Sequence, residues 1–563
     1  MLKVEPTPMN ADRLLALFEP ISEAPDAIPR LRRFILDLAV RGKLVEQDLE
    51  DEPAEELLRE MESRFKRLRI TKKQVPLEAK EIPFSLPDRW QWTRLGQICE
   101  KTGSGSTPRG GKEAYVEMGI PFLRSQNVYN DGLRLADVVF IDEQTHQRMA
   151  GTRVLPCDLL LNITGGSIGR CAKVPVDFQE ANVSQHVAII RVGMPGMEDF
   201  IHALILSPYF QSFVDTSQTG AGRGGLPKNR MDAIPLALPP LAEQHRIVAK
   251  VDELMALCDQ LEVARQQREQ CRERLVAASL QRLNQPSNAP ETFRSDARFA
   301  LQVLPSLTST PAQIKQLRQT ILNLAARGKL VEQDPTESSA ETHQKLAHIA
   351  NTCDWIPPSW HSIPLGHLLE EDSRNGYSRK PDDAKGGTPI LRISAGTSRP
   401  DGLVAEEEFK LISGIDEKTM MLYAIKPGDL LACRFNGNKT HVGRPSLYTG
   451  YLEKHFIFPD KLIRIRLSRE IAEPEFIRWI AGSDFVRADV ESKCATTVGN
   501  WGISAGRLKS CYFPLPPLAE QHRIVAKVDE LMALCDQLEQ QLSQAEQGRR
   551  GLLEAVLREA LAG

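Results

Sequence analysis

The chain has 563 residues, 71 Lys and Arg against 74 Asp and Glu, and 41% hydrophobic residues. That length implies roughly three to four domains, and a charged share of 26% is ordinary for a globular protein. No run of 18 apolar residues occurs, which excludes a membrane-spanning helix, and a net charge of −3 argues against a self-sufficient DNA binder.

Residues 1–25 lack a basic stretch followed by an apolar core, so no signal peptide is predicted. The ten cysteines form no C-x-x-C pair, which suits reduced thiols and a cytoplasmic protein. Leu31, Ile35 and Leu38 mark one face of an opening helix. Gly42 follows as a left-handed cap, with Arg41 and Lys43 beside the negative end of the dipole. Residues Glu50 to Glu81 read as a charged helical arm. Short apolar runs such as Asp158–Ile163, punctuated by Gly, Pro and Asn, then predict a mixed α/β domain. After Pro239-Pro240 no Pro or Gly occurs from Leu241 to Leu283. These residues would form a rod of about 64 Å. Ile247, Val251, Leu254, Cys258 and Leu261 alternate steps of four and three along it, a heptad seam. Gln285 to Thr310, rich in Pro, Ser and Thr, joins this half to the next.

The next half repeats the first. Leu515–Glu539 is identical to Leu238–Glu262 over 25 residues, and Leu317–Asp334 matches Leu31–Asp48 at 14 of 18 positions. Between these anchors the likeness is faint: Trp90-x4-Leu95-Gly96 and Trp360-x4-Leu365-Gly366, Pro156-x-Asp158-Leu159-Leu160 and Pro427-x-Asp429-Leu430-Leu431, Gly169-Arg170 and Gly443-Arg444. Two nearly identical helical frames thus enclose two divergent domains, one fold serving two targets. The boundaries expected are 1–83 for the tail and arm, 84–237 for the first domain and 238–285 for the central helix. The linker with the second opening helix spans 286–353, the second domain 354–514 and the closing helix 515–563. The fold class is α/β: two mixed α/β domains separated by long duplicated helices that form an antiparallel coiled coil, with a pseudo-twofold internal repeat.

No catalytic centre emerges. There is no Walker A motif, no His-Glu-x-x-His and no zinc spacing of cysteines. Gly220–Gly225 fits G-x-G-x-x-G, but no strand leads into it and Pro227 follows, so it reads as a flexible loop. Ile356-Pro357-Pro358-Ser359-Trp360 lacks the polar first residue of an amino-methyltransferase motif. Pro459-Asp460 with Glu491-Ser492-Lys493 resembles a nuclease pattern, but the first half has no counterpart. His245 and His522, at the duplicated helix start, suit packing or capping.

What remains is a set of polar loops suited to bases and phosphates. The first domain offers Thr107, Arg109, Arg124, Ser125, Gln126, Asn127, Asn162, Thr164, Ser167, Arg170, Gln185, His186, Arg223, Lys228 and Arg230. The second offers Arg374, Tyr377, Arg379, Lys380, Arg392, Arg434, Asn436, Asn438, Lys439, Asn500, Trp501 and Arg507. Arg pairs with guanine and Asn or Gln with adenine in the major groove, while Ser, Thr and Lys suit phosphates. For any single residue among these, a polar surface turn is the plainer account.

The L-P-P-L-A-E-Q-H-R-I-V stretches at 238–248 and 515–525 and the A-x-R-G-K-L-V-E-Q-D stretches at 39–48 and 325–334 carry a resemblance. From about residue 28 the chain resembles the DNA-specificity subunit of a type I restriction–modification system. The resemblance implies two target-recognition domains reading a split site in double-stranded DNA, and helices that set the gap between half-sites. It implies two methylation subunits that use S-adenosylmethionine on adenine, and restriction subunits that use ATP and magnesium. It implies no catalysis by this chain and no cofactor bound to it. The alternative is a duplicated scaffold that binds only proteins.

Overall fold

The computed structural model describes residues 24, 26–72, 75–216, 225–284, 290–334, 336–337, 355–497 and 499–562. Helix α1 (Ala27–Val40) buries Leu31, Ile35 and Leu38, the stripe its sequence predicts. It ends at Gly42, φ +68°, where a Cβ would lie 2.5 Å from Pro87 Cγ and 3.1 Å from Trp90 Cζ2. The R-G-K turn therefore seats on the Pro-x-x-Trp entrance of the domain, and only glycine fits there. The charged arm contains α2 (Ala54–Arg67), which buries Leu57, Met61 and Phe65. Strands β1 (Gln91–Arg94) and β11 (Pro235–Leu238) pair and hold the domain's entry beside its exit.

Two sheets fill the domain between them. The first runs β8 (Cys171–Lys173), β7 (Leu159–Asn162), β10 (Val187–Val192), β2 (Cys99–Ser104), all antiparallel. The second runs β3 (Tyr115–Val116), β5 (Val139–Ile141), β4 (Ile120–Leu123), β9 (Ala181–Val183), β6 (Arg153–Val154), with β4 and β9 parallel. The apolar run of β7 is explained by burial on both faces. Leu159 and Leu161 join the core shared with α3 (Glu198–Leu206) and α4 (Pro208–Thr216), while Leu160 joins the second core with Leu123 and Val183. Short α5 (Lys228–Ala233) precedes β11, and the unbroken α6 (Leu241–Asn284) follows it.

The segment after α6 is partly helical: α7 (Pro290–Leu307) lies within the stretch whose composition suggests a bare joint. Its Phe293, Ala297 and Ala300 pack with Val276, Leu280 and Leu283, an apolar stripe at steps of four and three that overrides the Pro/Ser/Thr signal. Helix α8 (Pro311–Ala326) opens with a Thr310/Gln313 capping box and ends at Gly328, φ +65°, where a Cβ would meet Pro357 Cγ at 2.6 Å and Trp360 Cζ2 at 2.9 Å. Strand β12 (His361–Pro364) pairs with β22 (Tyr512–Leu515). The main sheet runs β13 (Leu369–Asn375), β19 (Leu462–Leu467), β16 (Leu430–Cys433), β18 (Pro445–Leu447). Strands β14 (Thr388–Leu391) and β15 (Phe409–Ile412) pair, and a three-stranded sheet runs β17 (Phe435–Asn436), β21 (Asn500–Gly502), β20 (Ala495–Thr497). Helices α9 (Pro474–Ile480), α10 (Asp484–Ser492) and α11 (Ala505–Lys509) cover the core, and α12 (Leu518–Ala562) closes the chain.

The chain divides into residues 1–267 with 545–563, and residues 268–544. Helix α6 thus starts in the first unit and ends in the second, and α12 starts in the second and ends in the first. Ile247, Val251, Leu254 and Cys258 lie in the first unit's core with α1, and so do Leu553 and Val556 of α12. Ile524, Val528 and Cys535 take the corresponding places in the second unit's core.

The duplicated motifs are consumed in holding each frame. Gln244 Nε2 donates to Pro239 O at 2.9 Å, and Gln521 Nε2 to Pro516 O at 3.0 Å. Arg246 pairs with Asp51 at 2.7 Å, and Arg523 with Glu337 at 3.0 Å. Arg32 meets Asp259 and Glu262 at 2.6 and 2.8 Å, while Arg318 meets Asp536 and Glu539 at 2.5 and 2.8 Å. His522 Nε2 lies 3.2 Å from Glu473, but its side chain is exposed, a surface contact and not a packed one.

Candidate nucleic-acid interface

In the first unit, strand register collects the polar loops at one edge. Ser104 faces Ala188 and Asn162 faces Val187, while parallel β4 and β9 end side by side at Leu123 and Val183. Gly105 allows the closest crossing: its N donates to Val187 O at 2.9 Å, and a Cβ there would lie 1.9 Å from Val183 O. Buried Asn162 donates to Ser125 O at 2.9 Å and Ser167 Oγ at 3.1 Å, tying two loops together. Buried Asn127 accepts from Arg124 N at 3.0 Å and donates to Arg134 O at 2.8 Å. Thr164 Oγ1 lies 2.6 Å from His186 Nδ1, and Leu226 N donates to Ile163 O at 2.8 Å.

The edge therefore gathers Ser125, Gln126, Thr164, Ser167, Gln185 and His186. Thr107 and Arg109 are exposed on the loop that leaves β2. Burial leaves Asn127 and Asn162 no face for a base, so they act as positioning residues. Arg124 Nη2 donates to Asp137 O at 3.0 Å. Lys228 is held by Asp232 and by Thr102 Oγ1 at 2.6 Å, and Arg230 is exposed on the same helix. Arg223 and residues 217–224, most of the glycine-rich loop, lie outside the described residues.

The second unit builds its edge differently. Gly376 N donates to Leu462 O at 3.2 Å, and a Cβ there would meet Pro459 O at 2.2 Å. Beyond it stands an array of cations on aromatic rings. Arg434 lies 4.8 Å and Lys461 Nζ 5.0 Å from the Phe435 centroid, and Lys439 Nζ lies 4.6 Å from that of Trp501. Strand pairing sets Asn436 opposite Trp501. Asn436 Oδ1 accepts from Asn438 N at 2.8 Å and Asn438 Oδ1 from Thr440 N at 3.1 Å, which shapes the loop between. Arg434, Asn436, Asn438, Lys439, Asn500 and Trp501 thus come together.

The other residues expected in this domain serve elsewhere or stand apart. Tyr377 packs edge-on to Tyr423 at 5.3 Å, a supporting role. Arg379 donates to Ser413 O at 3.0 Å and lies 3.3 Å from Asp382. Arg374, Lys380 and Arg392 are exposed, and Arg507 donates to Lys493 O at 3.3 Å. Lys461 and Phe435 escape sequence reasoning. Phe435 is visible only as the residue after Arg434, and Lys461 reaches the array through strand pairing.

Burial pushes the Cys433 thiol up, and it donates to Phe435 O at 3.4 Å, so it is a packing group. Glu491 pairs with Arg487 at 3.1 Å and Lys493 with Asp489 at 2.9 Å, so two members of the nuclease-like pattern serve structural ion pairs. Among the described residues no cluster of His, Cys, Asp and Glu could hold a metal ion. No described helix is long and apolar enough to cross a membrane. Chemically, the two edges offer hydrogen-bond donors and acceptors, cations and aromatic faces.

A family model for the type I restriction modification DNA specificity domain matches residues 87–269 and again 357–546. The specificity subunit of type I restriction enzyme EcoEI from Escherichia coli is 28% identical, covering 95% of this chain and 94% of its own. That of EcoKI, from Escherichia coli strain K12, is 27% identical over 79% and 82%. A crystal structure of the HsdS subunit from Thermoanaerobacter tengcongensis aligns with 85% of this chain and 98% of its own, at 18% identity and a TM-score of 0.46.

Proposed function

The chain belongs to the type I restriction–modification DNA specificity family, and from that premise we propose that it reads a bipartite DNA target and directs partner subunits to it. It is the family's non-catalytic, sequence-specific DNA-binding member. One observation carries the assignment of labour: the two units repeat one frame and one main sheet, yet their loop edges are unlike. Residues 84–237 form one target-recognition domain and 354–514 the other, each reading one half-site. The repeated frames offer equivalent docking surfaces to two methylation subunits. Those subunits bring S-adenosylmethionine to adenine, and restriction subunits bring ATP and magnesium, in the cytoplasm.

Methylome sequencing tests this reading. Cells carrying the chain with its methylation subunit should show adenine methylation at a split sequence. Exchanging residues 84–237 for the corresponding domain of a relative should change one half-site and leave the other. An unchanged target after the exchange would refute it.

A further inference from the structure

Gly169-Arg170 in the first unit and Gly443-Arg444 in the second occupy the same place in the fold. Gly169 N donates to Asn162 O at 2.9 Å and Arg170 N to Ser167 O at 3.2 Å. Gly443 N donates to Cys433 O at 2.8 Å and Arg444 N to His441 O at 3.3 Å. Each turn closes the loop that leaves the central strand, β7 or β16, at the interface edge.

The backbone explains the glycines. Their φ values are +87° and +70°, and a Cβ would lie 2.3 Å from Gln211 Oε1 and 2.7 Å from Val490 Cγ1. The backbone makes no such demand of the arginines, although each has neighbours, Arg170 the Tyr129 ring and Arg444 the Gly482 turn. Among the described residues neither forms an ion pair. Exposed Arg170 lies 4.9 Å from the Tyr129 ring centroid, and half-buried Arg444 lines a cavity of about 250 Å³ with Ser398, Arg399 and His441. Burial and the repulsion of Arg487 weaken the hold of Arg444 on its proton, so the fold leaves that charge uncompensated.

Domains that read different half-sites have one thing in common to grip, the sugar–phosphate backbone, and a guanidinium without a carboxylate partner suits a phosphate. Building on the DNA-reading function above, we propose that Arg170 and Arg444 are matched, sequence-independent phosphate clamps, one for each target-recognition domain. They set the strength of binding and leave the choice of sequence to the neighbouring loops.

The test titrates the complex of this chain with its methylation subunits onto a cognate duplex and an unrelated duplex of equal length, over a series of salt concentrations. Arg170→Ala and Arg444→Ala should each weaken both duplexes by the same factor, roughly tenfold at low salt. Each should lower the slope of log K against log salt by about 0.9 and leave the methylated sequence unchanged. Arg170→Lys and Arg444→Lys should keep the slope, which separates lost charge from misfolding. Unchanged affinity and slope, or a loss confined to the cognate duplex, would overturn the proposal. So would failed assembly with the methylation subunits at unchanged DNA affinity, an outcome that reassigns the two arginines to partner docking. If the unsubstituted complex shows no preference for the cognate duplex, the DNA-reading function itself fails, independently of the variants.

Discussion

Asp158 and Asp429 carry no chemistry, yet each holds an interface strand in place. Asp158 accepts from Leu155 N at 2.7 Å and grips Arg191 through both oxygens, at 2.7 and 2.8 Å. Asp429 accepts from Lys426 N at 2.8 Å and grips Arg466 twice at 2.7 Å. In each unit the arginine lies on the strand whose start meets the interface edge, so the pair fixes that strand's register. The pairs differ in what survives their loss. Without Asp429, Arg466 still has Glu371 at 2.5 Å, whereas Arg191 has no second carboxylate within ion-pair distance among the described residues. Removing one partner of a buried pair strands a desolvated charge. Asp158→Ala should therefore cost about 3 kcal/mol of stability, and Asp429→Ala less. Urea unfolding of the two variants checks both the size and the order.

At the level of elements, what could be read from the sequence depended on how local the signal was. The opening helices, their glycine caps and the long Pro- and Gly-free rods declare themselves because spacing and capping are local properties. The P-x-D-L-L runs are strands, as their composition suggests, because burial on both faces demands continuous apolar residues. The stripe Ile247, Val251, Leu254, Cys258 was visible, but a periodicity does not say what covers it, and its residues lie in a core with α1. The polar loops were legible as loops, and the setting of their single residues less so. Asn127 and Asn162 look like adenine readers, yet they are buried and hold loops, a distinction that only tertiary packing makes. Lys461 reaches Phe435 from the turn that leads into β19, which no sequence window displays. The rod carries its own prediction. Deleting one helical turn within residues 263–283 should change the spacer between half-sites and preserve their sequences. Methylome sequencing of that variant decides, and full activity with an unchanged spacer would count against a spacing role.

For the whole molecule, charge needs a different reading from the one its total suggests. Residues 84–237 carry 15 Lys and Arg against 15 Asp and Glu, and residues 354–514 carry 22 against 21. Neither domain is a basic block, so nonspecific attraction to DNA is weak. The isolated chain should bind a cognate duplex far more weakly than its complex with methylation subunits, a difference that gel shifts at fixed salt measure directly. Equal affinity of the two would show that the chain supplies the phosphate contacts alone. The exchange of long helices between the units also bears on the order of synthesis. Leu553 and Val556 belong to the core around α1, yet they leave the ribosome after every residue of the second unit. The first domain to be made must therefore wait for the last helix before its core is complete. A frameshift late in the reading frame would strike first at the half of the molecule that was translated earliest.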